Sequence, residues 1–133
     1  MKRTLAGIAL CGWLMTSTAL MAHHSLAGVY DMKKETELAG AVDAIKFTNP
    51  HGSLAVMVKN ADGSDTRWVV TLGSATALAQ RGIGKTGPNA LHVGDQIKIK
   101  FLPAKDGSPL GFLKTVTMPD GRVIVVSGGG PNE

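Results

Sequence analysis

The four histidines of this chain are the side chains best suited to chemistry. His23 and His24 are adjacent, whereas His51 and His92 each stand alone further along. Neutral imidazole is a common metal ligand, and nitrogen-rich sites of tetragonal geometry suit Cu(II). A chain cut to begin at His23 would hold one ion with the α-amine and the imidazole of that residue together. We therefore predict a site for copper, or a similar divalent metal, on His23, His24 and His51, and assign His92 to a surface loop.

Two structural interpretations compete with this metal site. The His23-His24 pair can stay solvated and never meet a metal ion in the cell. His51 follows Asn49-Pro50, a pair that starts turns, so its partners can be local carbonyl groups. The metal site also depends on cleavage after Ala22, because a longer mature chain would lack the free amine on His23.

The remaining polar residues give no sign of catalysis. Asp62, Asp106 and Asp120 each precede a glycine, which is typical of turns, and no serine stands in a Gly-x-Ser-x-Gly elbow. The run at residues 84–86 resembles the end of a phosphate loop, but Ala79 occupies the position of that motif's first glycine. We therefore expect no enzyme, and keep a metal-dependent oxidase or hydrolase on the same histidines as an alternative.

Residues 1–22 have the order of a secretory signal peptide. Lys2 and Arg3 form a positive start, residues 5–15 are apolar and uncharged, and residues 16–22 are small or polar. The apolar stretch is shorter than the roughly 20 residues that a membrane-spanning helix needs. We expect cleavage after Ala22, or alternatively after Ala19. The product would be a periplasmic or secreted bacterial protein with no transmembrane segment.

Loss of this segment changes what the mature chain can bind. The only cysteine, Cys11, leaves with it, so no disulfide, thiol nucleophile or cysteine metal ligand remains. Removal of Lys2 and Arg3 lowers the formal net charge from +4 to +2. The later aromatic residues are not interleaved with arginine, and Trp68 lies in an apolar run that favours the core or its rim. We therefore expect no binding of nucleic acid.

The mature part, residues 23–133, has the patterning of a single domain that is all-β apart from one short helix. An arm at residues 23–35 shows no clean period and is expected to pack through Leu26, Val29 and Tyr30, and a flexible tail is expected at residues 127–133. Apolar and polar residues alternate in the intervening strands, and Ser74 is a suitable helix cap. We predict strands at residues 36–47, 53–59, 66–72, 96–102, 110–118 and 123–126, and a helix at residues 75–81.

This order of elements favours a small barrel. A helix between the third and fourth strands, and a long first strand that can bend at Gly40, are typical of the oligonucleotide/oligosaccharide-binding (OB) fold. Closing the sheet also removes exposed strand edges, which benefits a small chain without disulfides. We predict a closed or partly open OB-like barrel of five to six strands, with a small β-sandwich as the alternative.

Several motifs along the mature chain carry a resemblance to a known group. The chain resembles the small exported bacterial proteins grouped as domain of unknown function 6152, although that group tends to have an aromatic residue where Leu26 and Ile83 stand here. The resemblance implies a secreted barrel-like domain and draws attention to His23, His24 and His51, but it implies no activity. The matching features are His23-His24-Ser25, Gly40-Ala41-Val42, Asn49-Pro50-His51, Trp68, Arg81-Gly82, Gly94-Asp95 and Asp120-Gly121.

Together these observations predict a binding or accessory module of the bacterial envelope. Its ligand would be a protein, a glycan or a small molecule, held by a face of the barrel or by the loop at residues 82–94. The alternative is a copper-binding protein that uses the chelate at His23. The two hypotheses differ in their dependence on the amino terminus and on metal.

Overall fold

A computed structural model describes residues 25–127, which form one small barrel with short helices. The expected signal segment, His23, His24 and residues 128–133 lie outside the described residues. No helix within the described part is long and apolar enough to cross a membrane. The elements are α1 (Ser25–Val29), β1 (Thr36–Lys46), β2 (Ser53–Lys59), β3 (Asp65–Thr71), α2 (Ala75–Gln80), β4 (Gln96–Pro103), β5 (Leu110–Thr117) and β6 (Val123–Val125).

The sheet closes on itself and so confirms the predicted OB-like barrel. β1 pairs with β4 along its first half and with β2 along its second half. β2 pairs with β3, and a parallel pairing of β3 with β5 completes the ring. β6 is an additional strand on the outer edge of β5. The β-sandwich alternative does not apply, because one continuous sheet encloses the core.

β1 changes partner at Gly40, where the sequence predicted a bend. A Cβ atom built on Gly40 would lie 2.8 Å from Cγ1 of Val56 and closer still to the carbonyl oxygen of Met57. The absence of a side chain therefore lets β2 approach β1 at the bend. A bulge at Asp43 follows between the pairs of Val42 and Ala44, and it increases the local twist.

The predicted inward positions form the core. Leu54, Val56, Ile99 and Phe101 are fully buried, and the ring of Phe101 lies 5.1 Å from the ring of Trp68. Trp68 is partly buried against this core, as predicted. The interior of the barrel is thus filled by apolar side chains.

α2 and the segment after it cover one end of the barrel. Ser74 accepts a hydrogen bond from the amide of Ala77 and caps α2, as predicted, and Leu78 of α2 is fully buried. Arg81 donates to the carbonyl oxygen of Val126 and so links the end of α2 to the residue that follows β6. Ser127, the first residue of the expected tail, is buried and donates to the carbonyl oxygen of Leu113.

Candidate functional site

The loop that carries His51 joins β1 to β2 and is attached to α2. The Thr48 hydroxyl donates to the carbonyl oxygen of His51 over 2.8 Å. The side-chain oxygen of Asn49 accepts a hydrogen bond of 2.9 Å from the amide of Ala75, in the first turn of α2. Asn49 therefore has a structural role beside Ser74, because both satisfy amides that the first helical turn leaves free. The side chain of His51 is exposed and makes no hydrogen bond to any other described residue.

The arm lies against the outside of the barrel instead of hanging free. Its residues 25–29 form the short helix α1, which the sequence pattern did not predict. Lys105 fixes this helix from the β4–β5 loop: its amide donates to the carbonyl oxygen of Val29, and its Nζ donates to that of Ala27. Leu26 is half-buried, whereas Val29 is 48% exposed. About half of Val29 is thus open to solvent, and its carbonyl oxygen holds it to the barrel through Lys105.

Tyr30 is the main anchor of the arm. Its ring centroid lies 6.0 Å from that of Phe112, and its hydroxyl lies 3.0 Å from Oγ1 of Thr71. Leu102, Ala104 and Phe112 face outward by strand alternation, yet all three are buried. The arm covers this outward cluster, with Tyr30 also bridging to Ala104.

The arm and the β1–β2 loop lie on the same side of the barrel. Thr71, which contacts Tyr30, pairs with Ser53, and Ser53 follows His51 by two residues. The structure therefore places His51 on the side to which the arm is attached. It does not describe His23 and His24, which precede α1. Between residues 25 and 127, no three His, Cys, Asp or Glu side chains form a group that could hold a metal ion.

His92 lies away from this arrangement, in the loop before β4, and is exposed as predicted. Its amide donates to the carboxylate of Asp95 over 2.8 Å, and its Nδ1 lies 3.7 Å from the same oxygen. Asp95 in turn accepts a backbone hydrogen bond from Val42 through its carbonyl oxygen. His92 and Asp95 thus belong to the turn that leads into β4.

A row of small apolar side chains crosses the outside of the barrel, and sequence reasoning did not single it out. Ala44 of β1, Ala55 of β2, Val69 of β3 and Leu110 of β5 are successive partners across the strands. We call these four residues the outer row. The available signal was the presence of alanine, instead of a charged residue, at Ala44 and Ala55, which face outward in the predicted strands.

Polar groups border the outer row on both sides. On one side Arg67 donates from Nε to Asp43 over 2.6 Å, so the two charges neutralise each other at the surface. On the other side stand Ser53 and Thr71, the residues next to the arm. The outer row is thus an apolar strip with polar margins, the composition of many protein contact surfaces.

The three carboxylates that precede glycine have the turn role that the sequence predicted. Asp62 accepts hydrogen bonds from the hydroxyl and amide of Ser64, and Asp106 is bound in the same way by Ser108. These hydrogen bonds, the hydroxyl first, lower the pKa of both carboxyls below their usual value. The side chain of Arg122 lowers the pKa of Asp120 in the same way. All three carboxylates are therefore occupied in stabilising turns.

Comparison with known proteins places the chain in a group. The model of a family described as a family of unknown function (DUF6152) matches residues 12–114. This chain belongs to that family. No curated protein matches it. Among solved structures, the chain is similar to the mitochondrial single-stranded DNA-binding protein Rim1 of S. cerevisiae, with 7% sequence identity and a TM-score of 0.48, over 71% of this chain and 96% of that one.

The motif residues are of two kinds: some stabilise the fold, whereas His51 has an exposed side chain that makes no hydrogen bond within the described part of the chain. Asn49 caps α2, Trp68 packs on the core, and Arg81 binds the carbonyl oxygen of Val126 after β6. Ile83 is buried in the core. His51 differs from these residues, because its exposed ring contributes no hydrogen bond to the described part of the fold. It is the described motif residue most available to a ligand.

Proposed function

We propose that this protein is an exported binding module that holds a protein partner of the bacterial envelope on the outer row. The outer row itself carries the proposal: Ala44, Ala55, Val69 and Leu110 form an apolar strip across four strands. Neighbouring strands are about 4.8 Å apart, so the strip is about 14 Å long. That length accommodates a short segment of a partner's surface.

The chemistry of the outer row favours a protein over a glycan or a nucleic acid. Sugars and bases bind most often by stacking on exposed aromatic rings. Each aromatic residue in the described part is buried or half-buried, and Tyr30 and Phe112 face each other. The outer row offers instead apolar area at Leu110, which is exposed, and at Ala44 and Val69, which are half-buried, whereas Ala55 is buried between them. Ser53 and Thr71 lie at its margin, and this combination suits backbone and apolar groups of a polypeptide.

Site-specific photocrosslinking in the envelope of the host tests this proposal. A photoreactive amino acid at Val69 or Leu110 should give one discrete adduct, whereas the same group at Lys85, an exposed residue of the loop at 82–94, should give none. With the photoreactive group at Val69, the Leu110→Arg substitution should remove the adduct, because Leu110 is 41% exposed and a long charged side chain there would cover the strip. A chelator should leave the adduct unchanged. Equal adducts from Lys85 and Val69, or none from the outer row, would contradict the proposal.

A second candidate function is copper binding through the amino terminus. The specific observation in its favour is the attachment of the arm beside the β1–β2 loop, through Tyr30 and Thr71, with Thr71 paired to Ser53 near His51. His24 directly precedes α1, and α1 is held by Lys105. A free amine on His23, the imidazoles of His23 and His24, and the exposed ring of His51 would supply the nitrogen ligands that Cu(II) prefers.

Copper titration of the exported protein tests the second candidate. Mature protein that begins at His23 should give a Cu(II) electron paramagnetic resonance spectrum with nitrogen coupling. Replacing both His23 and His24 with Ala should weaken binding by at least about tenfold, because the change removes the two imidazoles that can chelate the ion together with the terminal amine. His92→Ala is the matched control and should bind like the parent. Unchanged affinity in the doubly substituted variant, or a mature chain that begins elsewhere, would exclude this function.

A further inference from the structure

Among the strand edges that lack a partner in the described part of the chain are one on β3 and one on β6. The parallel pairing of β3 with β5 begins at Val69, so the edge of β3 before that residue has no strand beside it. β6 pairs with β5 on one side only. Such edges carry free amide and carbonyl groups that can pair with another chain.

These two edges differ in how they are protected. The free half of β3 carries Asp65 and Arg67, which form ion pairs with Lys59 and Asp43. Charged side chains of this kind discourage pairing with another strand. The edge strand β6 has the sequence Val-Ile-Val and carries no charge.

The backbone of β6 presents its free groups in a regular order. Met118 donates to the carbonyl oxygen of Arg122, and Val126 donates to that of Lys114, so alternate residues of this segment point their backbone groups at β5. By the same alternation, Val123 and Val125 point their amide and carbonyl groups away from β5. Val123 and Val125 are 61% and 55% exposed, and their side chains lie on one face of the sheet.

We propose that β6 pairs with β6 of a second copy of this chain, as antiparallel strands related by a two-fold axis at Ile124. The Val-Ile-Val sequence is the same in both directions, so Val123 of one copy lies opposite Val125 of the other. The outward amide and carbonyl groups of these residues then form four hydrogen bonds across the axis. The sheet becomes continuous through both barrels, and the four valines form one apolar cluster.

The sequence of β6 favours a second copy of this chain as the partner of its free edge. An isologous contact requires a surface that is complementary to itself, and a palindromic strand without charge meets that requirement at Ile124. A two-fold pair is also closed: each β6 edge is occupied by the other, so no edge remains to add further copies and form a fibre. The interface is small, so the dimer forms at high protein concentration and dissociates on dilution.

Light scattering on size-exclusion fractions of the exported protein, over a concentration series, tests this proposal. The parent chain should shift from monomer to dimer as concentration rises. Val125→Pro should weaken the dimer by at least about tenfold, because proline removes an amide that faces the partner and leaves the pairing with β5 intact. Val125→Lys should act similarly through charge repulsion across the axis, without altering the backbone.

Val93→Lys is the matched control, because Val93 is 70% exposed in the loop before β4. It should dimerise like the parent, and circular dichroism should show all variants folded. A parent chain that stays monomeric at every concentration would overturn the proposal. A dimer that survives both changes at Val125, or one that Val93→Lys disrupts, would show that another surface pairs.

Discussion

Gly40→Ala is expected to destabilise this protein by more than about 3 kcal/mol, enough to unfold much of the population. The added Cβ atom would collide with the carbonyl oxygen of Met57 and with Cγ1 of Val56. A side chain can change rotamer, but Met57 contributes a backbone atom that β2 holds in register with Ala41. The collision can be relieved only by moving β2 away from the bend in β1, which weakens the pairing of these two strands.

Urea denaturation followed by circular dichroism measures this effect. Gly73→Ala is the control, because no atom lies within 4 Å of a Cβ built at Gly73 and its φ angle is not positive. That variant should unfold within about 0.5 kcal/mol of the parent. A Gly40→Ala protein as stable as Gly73→Ala would show that the fold does not need this close approach of β2 to β1.

Tyr30→Ala is expected to lower the free energy of unfolding by about 2–3 kcal/mol. The substitution removes the ring that faces Phe112 and the hydroxyl that contacts Thr71. The outward cluster of Leu102, Ala104 and Phe112 would then lose its cover and meet water. We therefore expect the arm to detach, and a protease should cut the chain near α1 faster than in the parent.

Tyr30→Phe separates the two contributions of this side chain. It keeps the ring against Phe112 and removes only the hydrogen bond to Thr71, so the loss should be about 1 kcal/mol. Thermal unfolding and timed proteolysis of both variants measure the difference. Equal loss in Tyr30→Phe and Tyr30→Ala would mean that the hydrogen bond, and not burial of the outward cluster, holds the arm.

The arm also links the two candidate functions. Detachment by Tyr30→Ala should weaken copper binding if His51 completes the site, because the arm would no longer be held beside the β1–β2 loop. The same substitution should leave the crosslinks from Val69 largely intact, because the outer row belongs to the barrel. One variant therefore distinguishes a site that needs the arm from a site that needs only the sheet.

Strand and helix positions could be derived from the sequence because they depend on local patterns. The alternation of Leu54, Val56 and Val58 predicts β2 and its inward face, and these residues are buried. Ser74 predicts the start of α2, and it accepts the expected hydrogen bond from Ala77. Each inference uses residues a few positions apart, where the geometry of the chain itself determines which side chains share a face.

The tertiary structure was needed for every contact between distant segments. Tyr30 and Thr71 are 41 residues apart, and Asn49 caps a helix that begins 26 residues later. No local pattern encodes these distances, because they depend on which strands pair and where the sheet closes. The outer row has the same origin: Ala44, Ala55 and Val69 come from three strands and form a strip only once the register is set.

Both the sequence and the tertiary structure bear on the role of His51. The sequence identifies it as a possible ligand by its residue type and its Asn-Pro turn. The fold gives the nearby Asn49 a different role, because its side chain caps α2. Residue chemistry and local periodicity are properties of the chain, and they predict the barrel, its core and the histidines. Closure of the sheet brings remote residues together, and it alone places the arm, the outer row and the free edge of β6 on the surface of the molecule.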